Sequence, residues 1–183
     1  LSKNDCAFAY RDSIFKHSAG RHYIIVRVAF TLSKIWQPRL DYPDIIRIRE
    51  TQKIASAEET RQVVISIRKN KLPPPHLGTA GSFFKNPIVS QQTAQELKIR
   101  FPEMPIFPQS DGGVKLSAGW LLDHVCGLRG YREGNVGLYE KQALILVRYG
   151  DATAAEVLSF AENISKKFFE KTNTHLEFEV RII

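Results

Sequence analysis

The sequence contains little sulfur, with two cysteines and one methionine among 183 residues. Cys6 and Cys126 show neither the paired spacing of a zinc site nor the Cys-x-x-Cys spacing of a redox site. The five histidines also lack the close spacing of zinc ligands. They are His17, His22, His76, His124 and His175. We therefore expect no structural metal, and a buried, reduced thiol at Cys126.

Long apolar runs are also missing. No segment approaches the roughly 20 apolar residues that a membrane-spanning helix needs. The first residues carry no hydrophobic region of a signal peptide and no initiator methionine. We interpret the chain as part of a longer cytosolic protein that is not a membrane protein.

The charge balance is basic. The chain has 26 Lys and Arg against 19 Asp and Glu, a net charge of +7 and a pI near 9.5. This excess favours a polyanionic partner, either a nucleic acid or a phosphate-bearing substrate. The basic residues are scattered and form no stripe, which disfavours the nucleic-acid alternative.

The N-terminal third alternates between strand and helix signals. Residues 23–30 are rich in β-branched side chains and predict a strand. Proline and charge across residues 37–50 predict a loop that contains Tyr42. Ser56 and Glu59 have the spacing of a capping box, which predicts a helix that ends near Lys69. Prolines 73–75 then indicate a boundary or hinge.

The remaining chain predicts three further capped helices. Ser90 caps residues 91–100, Ser117 caps residues 118–126, and Thr153 opens a capping box. In the last helix one apolar stripe is formed by Val157, Ala161, Ile164 and Phe168. Between the helices we expect an extended connector over residues 102–108, a glycine-rich loop over residues 127–137 and a strand over residues 143–147.

The chain ends in a pattern of period two. Leu176, Phe178, Val180 and Ile182 share one face, which predicts a C-terminal strand. The opposite face carries Glu177, Glu179 and Arg181. This polar face suits either an exposed sheet edge protected by charge or a functional site.

Residues 81–87 (Gly-Ser-Phe-Phe-Lys-Asn-Pro) combine small, aromatic and polar side chains. Phe83 and Phe84 can anchor the backbone in a core. Ser82, Lys85 and Asn86 would then present three polar groups from a fixed connection, as binding sites often do. The alternative is a buried aromatic pair with ordinary solvated neighbours.

Four stretches together resemble the UDP-N-acetylenolpyruvoylglucosamine reductase (UDP-N-acetylmuramate dehydrogenase) family. They are residues 8–16, 81–87, 114–121 and 176–181, in the family's order, and the likeness extends over essentially the whole chain. The resemblance implies an α+β fold. Residues 1–72, with 173–183 returning to them, would be the C-terminal part of an FAD-binding domain, and residues 73–172 a substrate-binding lobe closed by the C-terminal strand.

The resemblance implies an FAD-dependent, NADPH-driven reduction of UDP-N-acetylglucosamine enolpyruvate in bacterial cell-wall synthesis. Ser82 matches the family's proton donor, with Lys85 or Asn86 as supports. Glu179 matches its catalytic glutamate, which must be protonated or neutralised by a partner such as Arg181. Arg11 matches the arginine that stabilises the enolate.

Further positions match residues that bind ligands in this family. For the substrate they are Tyr42, Lys71, Asn86, Gln142, Lys115 and Arg181. Tyr10 and Arg68 would line the flavin or nicotinamide site. Phe178 departs from the family, where proline is frequent, and Tyr139 stands where histidine is common. We expect a cytoplasmic monomer that does not bind nucleic acid, or alternatively a non-catalytic UDP-sugar-binding module.

Overall fold

The computed structural model describes residues 1–182 and divides the chain into two compact units. The first unit is Leu1–Ile67, and the second begins at Arg68 and takes in the rest of the described chain. Antiparallel sheets and separate helices give a fold of the α+β type. None of the helices among residues 1–182 is both long and apolar enough to cross a membrane.

The first unit is small and mainly helical. It contains a 3₁₀ turn at Ile14–Lys16, helix α1 (Pro43–Arg49) and most of helix α2 (Ala57–Lys71). Its core consists of aliphatic side chains from both helices and their connections. These are Leu40, Ile45, Ile48, Ile54, Val63 and Ile67.

Helix α1 corrects the prediction of a loop over residues 37–50. Pro43 occupies the first helical position, where its missing N–H costs nothing and its fixed φ suits a helix. Ile45 and Ile48 then lie one turn apart on the side that packs into the core. Tyr42 remains outside the helix as its N-cap residue.

The predicted strand over residues 23–30 is wrong in this structure. Residues 23–33 have no regular secondary structure, and none of the strands within residues 1–182 pairs with them. The apolar side chains are exposed, and Val26 retains 90% of its accessible surface. β-Branched residues favour a strand only where a neighbouring strand accepts their backbone groups and covers one face.

Helix α2 begins as its capping sequence predicts. The Ser56 hydroxyl accepts a hydrogen bond from Glu59 N (3.1 Å), while the Glu59 carboxylate accepts one from Ala55 N (2.6 Å). The carboxylate therefore reaches one residue beyond the usual capping-box partner. The helix ends at Lys71, two residues later than predicted, just before the proline run.

The second unit contains two antiparallel sheets. Strands β1 (Gly78–Ser82), β5 (Arg132–Glu133), β6 (Val136–Tyr139) and β7 (Gln142–Arg148) form a sheet in the order β1-β7-β6-β5. Strands β2 (Ile88–Val89), β3 (Ile106–Pro108) and β4 (Val114–Leu116) form the other, in the order β2-β4-β3. The loop predicted over residues 127–137 thus contains strand β5, and the extended connector contains β3.

Three helical segments complete the second unit. Helix α3 (Gln91–Arg100) starts at Ser90, whose hydroxyl accepts from Thr93 N. The short helix α4 (Ala118–Trp120) continues into a π-helical turn, Leu121–Val125. Helix α5 (Ala154–Thr172) opens with the complete capping box at Thr153, and its predicted apolar stripe packs into the main core.

Among the described residues, the predicted C-terminal strand is reduced to one bridged residue, Phe178, and residues 179–180 form a bend. A single antiparallel bridge joins Phe84 and Phe178. The facing segment leads into Pro87, which has no N–H to continue the ladder. Leu176 is buried and Phe178 and Val180 pack against the core, whereas Ile182 is exposed.

Candidate functional site

Ser82 lies at the end of β1, where the strand changes register. Thr79 faces Val147 and Ser82 faces Ile145, so β1 contains an irregularity between them. Gly81 adopts a φ of 81°, a conformation that other residues rarely take. Such irregularities can re-aim side chains, and this one lies directly before Ser82.

The two phenylalanines after Ser82 anchor the segment, as predicted. Phe83 is almost fully buried and Phe84 is fully buried. Phe178 of the C-terminal segment completes a cluster of three rings, with centroids 5.2–5.7 Å apart. This distance range suits edge-on and tilted aromatic contacts. The rings hold residues 82–86 against the C-terminal segment.

Backbone hydrogen bonds fix residues 83–85 on both edges. On one edge Phe83 N donates to Leu144 O of β7 (3.0 Å). On the other, Lys85 N donates to Glu177 O and Glu179 N donates to Phe83 O, both at 2.8 Å. Glu179 therefore lies opposite the residue that follows Ser82. The structure brings these two predicted catalytic positions together in the second unit.

Asn86 has a structural contact that its sequence context does not reveal. Its Oδ1 accepts a hydrogen bond from Ala118 N, the first residue of α4, at 2.9 Å. This bond ties residues 81–87 to the 114–121 stretch. Any contact of Asn86 with a substrate would then come from its amide nitrogen.

Gln142 and Tyr139 lie at the β6–β7 connection. Gln142 is the first residue of β7 and is half-buried. Its Oε1 lies close to the backbone of Gly119, because a Cβ added to Gly119 would be 3.4 Å from this oxygen. Tyr139 is buried, and its hydroxyl donates to Leu72 O at 3.4 Å. The tyrosine in place of a histidine is thus part of a packed core.

The remaining candidates of the second unit are basic. Lys115 is half-buried in the middle of β4, and its ammonium lies 5.7 Å from the centre of the Phe107 ring. Arg68 and Lys71 occupy the last turn of α2, three residues apart and hence on neighbouring positions of one face. Arg181 follows Glu179 along the C-terminal segment and is exposed.

Tyr10 and Arg11 form the centre of a tight turn in the first unit. Ala9 and Asp12 exchange two backbone hydrogen bonds, which leaves the two side chains at the tip. Arg11 has a φ of 53°, which is uncommon for a residue with a side chain. Its guanidinium lies 6.0 Å from the centre of the Tyr10 ring.

Polar contacts hold this turn. The Lys16 ammonium donates to Arg11 O at 2.7 Å, and the Asp12 carboxylate accepts from Ser13 N at 2.8 Å. His17 Nε2 lies 2.9 Å from the other Asp12 oxygen. The His17 hydrogen bond, followed by that from Ser13, lowers the pKa of the Asp12 carboxyl below its ordinary value.

The predicted site residues are divided between the units. Tyr10, Arg11 and Tyr42 belong to the first unit, and the others to the second. The convergence of Arg11 with Ser82 and Glu179 remains a prediction. Sequence reasoning missed the role of Glu177, whose carboxylate pairs with the Lys85 ammonium at 2.8 Å. The sequence feature that could have indicated Glu177 is its position two residues before Glu179, on the same polar face of the C-terminal segment.

The sequence of the chain is similar to known proteins of one family. A family model described as "UDP-N-acetylenolpyruvoylglucosamine reductase, C-terminal domain" matches residues 73–183. Proteins named UDP-N-acetylenolpyruvoylglucosamine reductase from Salmonella choleraesuis, Escherichia coli and Pasteurella multocida are 46%, 44% and 42% identical to the chain. Each alignment covers 100% of this chain and 53% of the relative, so the chain spans about half of their length. The chain belongs to the UDP-N-acetylenolpyruvoylglucosamine reductase family.

Proposed function

We propose that this chain is the C-terminal part of an FAD-dependent, NADPH-driven reductase of UDP-N-acetylglucosamine enolpyruvate, which acts in bacterial peptidoglycan synthesis. The observation that carries the proposal is the double attachment of residues 83–85, to β7 on one edge and to residues 177–179 on the other. This attachment supports the proposal because Glu179 is hydrogen-bonded to Phe83, the residue that follows Ser82. Family membership supplies the reaction type.

The residues of the chain are compatible with a flavin as cofactor. A flavin ring system is anionic when reduced, and it favours aromatic and cationic neighbours. Tyr10 offers an aromatic ring at the tip of its turn, and we propose Arg68 on α2 as the cationic neighbour of the flavin or nicotinamide. We assign the binding of the flavin pyrophosphate to the part of the relatives that this chain does not span.

Ser82 and Arg11 take the central roles in this proposal. A bound reduced flavin would supply a hydride to the terminal carbon of the enolpyruvyl double bond. Negative charge then develops on the substrate carboxylate, where the permanent charge and planar donors of Arg11 would stabilise it. The Ser82 hydroxyl delivers a proton to the neighbouring carbon, which completes the lactyl ether.

Glu179 acts beside this proton transfer. An ionised carboxylate next to an enolate would oppose the developing charge, so the proposal requires Glu179 to be protonated or neutralised. Arg181, two residues later, is the neutralising partner that we consider. The backbone bond from Glu179 N to Phe83 O supports the placement of this carboxyl near Ser82.

The basic excess suits the proposed substrates. A UDP-sugar carries two phosphates, its enolpyruvyl group carries a carboxylate, and NADPH is also anionic. We propose that the substrate-binding positions are those named for this role above: Tyr42, Lys71, Asn86, Gln142, Lys115 and Arg181. The working form would be a cytoplasmic monomer.

Substitution of Ser82 by alanine tests the mechanism in the full-length reductase. Rapid mixing with NADPH should reduce the flavin at the normal rate in the Ser82→Ala variant. Reoxidation by UDP-N-acetylglucosamine enolpyruvate should fall by about 10²–10⁴-fold, the usual contribution of a general acid. A Ser82→Cys variant controls for packing. Normal product formation by Ser82→Ala would remove Ser82 as the proton donor.

The second unit also supports a simpler candidate function, a UDP-sugar-binding module. It has its own extensive hydrophobic core, and the family model matches residues 73–183 within it. Calorimetric titration of the chain with UDP-N-acetylglucosamine enolpyruvate should then show binding that Lys115→Ala weakens. Absence of heat at millimolar ligand would contradict this second function.

A further inference from the structure

We infer that Lys85 and Glu177 are positioning residues, whose ion pair fixes the place of Glu179 beside Ser82. Their contact joins two segments that are far apart in sequence, with a separation of 2.8 Å between Lys85 Nζ and Glu177 Oε2. The inference rests on the proposed function, because it matters only if Ser82 and Glu179 take part in the reaction.

The ion pair occupies one end of a short pairing. At that end Lys85 N also donates to Glu177 O, and at the other end Glu179 N donates to Phe83 O. Phe178 lies between the two ends, against the rings of Phe83 and Phe84. The segment is thus held at two ends around a central aromatic contact.

The short pairing makes the additional link important. Among the described residues after helix α5, only Phe178 forms a bridge, and two backbone hydrogen bonds accompany it. Loss of the Lys85–Glu177 ion pair would leave one backbone hydrogen bond at this end, so the segment could pivot about Phe178. The Glu179 end would then shift relative to Ser82, and a displacement of about 1 Å can reduce a catalytic rate about 100-fold.

The exposure of the pair argues for this positioning role over a role in stability. The side chains of Lys85 and Glu177 retain 33% and 73% of their accessible surface. Exposed pairs of this kind add little to the free energy of unfolding. Because Lys85 is engaged with Glu177, we infer that it supports the site through the C-terminal segment and does not contact the substrate.

Half-reaction kinetics of the full-length reductase test the inference. In Lys85→Met, flavin reduction by NADPH should be unchanged, while reoxidation by UDP-N-acetylglucosamine enolpyruvate should slow about tenfold or more. Lys85→Arg should retain the rate. The charge-swapped variant Lys85→Glu/Glu177→Lys should recover most of it, because the pair is restored in reverse. Lys166→Met removes an exposed lysine on α5 and is the matched control.

Hydrogen exchange of the chain gives a readout that does not depend on activity. The Glu179 amide, which donates to Phe83 O, should exchange several-fold faster in Lys85→Met than in the parent, and the charge-swapped variant should reverse this. Amides of β6 and β7 should be unaffected. An unchanged Glu179 exchange rate would overturn the inference even if the enzyme is active.

The other outcomes separate the two proposals. A fully active Lys85→Met would overturn the positioning role and leave the proposed function intact. A KM that is raised in Lys85→Met and not restored by the charge-swapped variant would show that Lys85 contacts the substrate. That result would also overturn the positioning role. A parent enzyme whose reduced flavin is never reoxidised by the enolpyruvyl substrate would overturn the proposed function and this inference together.

Discussion

Replacement of Phe84 by alanine should destabilise the second unit more than any exposed aromatic substitution. The Phe84 side chain has 0% of its surface exposed, and its ring lies 5.4 Å from Phe83 and 5.7 Å from Phe178. Phe-to-Ala changes in a core cost about 3–5 kcal/mol, through lost apolar burial and the cavity that remains. We expect about 4 kcal/mol, a large part of a typical domain stability of roughly 5–15 kcal/mol.

The matched control is Phe169→Ala on helix α5. Phe169 is 37% exposed and stacks on His175, with ring centroids 4.4 Å apart. Removal of this partly solvated ring should cost about 1 kcal/mol, since less apolar surface is lost from contact with protein. The difference of about 3 kcal/mol between the two variants isolates the effect of burial.

Urea unfolding followed by tryptophan fluorescence measures the difference. Trp36→Phe as a background leaves Trp120, in α4, as the reporter of the second unit. If Phe84→Ala does not fold, Phe84→Leu should still lose roughly 1–1.5 kcal/mol. A loss in Phe84→Ala that does not exceed that of Phe169→Ala would refute the assignment of this ring to the core.

Three further predictions concern single positions. Gly81→Ala should lower the free energy of unfolding by about 1–2 kcal/mol, because the positive φ at this position is strained for alanine. The space is open, since no atom beyond the adjacent residues lies within 4 Å of an added Cβ. An unchanged midpoint of urea unfolding would contradict this prediction. Hydrogen bonds from Thr153 hold the pKa of the Glu156 carboxyl below its ordinary value. The ionised carboxylate therefore stabilises the start of α5 above the ordinary pKa, and this contribution is lost as the pH falls through the lowered pKa. Protection from hydrogen exchange in the first turn of α5, measured relative to the intrinsic rate at each pH, should therefore fall on acidification. Thr153→Ala should weaken this pH dependence, because alanine loses the hydroxyl bond and keeps the backbone N–H that also binds Glu156. A protection factor that does not change with pH would contradict the prediction. Burial raises the pKa of the Cys126 thiol to about 11, so alkylation at pH 8 should be far slower than for the urea-unfolded chain, and equal rates would contradict it.

Sequence patterns predicted the features of this fold that depend on neighbours along the chain. The caps at Ser90 and Thr153 involve backbone groups only three residues away, so their spacing is visible in the sequence. The apolar stripe of α5 follows helix periodicity in the same way. The burial of Phe83 and Phe84 could be inferred from their apolar character, whereas their contact with Phe178 is tertiary.

Features that depend on distant partners were harder to predict. Residues 23–30 have the composition of a strand, but the described chain provides no strand beside them. The C-terminal segment alternates correctly, yet Pro87 limits the length of its pairing. The Lys85–Glu177 contact spans 92 residues. The alternating pattern places Glu177 on the polar face but does not identify Lys85 as its partner. Family resemblance identified Ser82 and Glu179, whereas their closeness comes from the tertiary hydrogen bonds.

The exposed segment over residues 23–33 has a consequence for handling the chain in solution. The described strands do not pair with this segment, and its valine, isoleucine and phenylalanine side chains are exposed. Exposed apolar segments of high β-propensity are the type of template on which intermolecular cross-β assembly begins. Arg27 interrupts the apolar run at its middle and acts as a gatekeeper charge. High salt screens this charge and the net charge of +7, so concentrated samples should precipitate more readily as ionic strength rises.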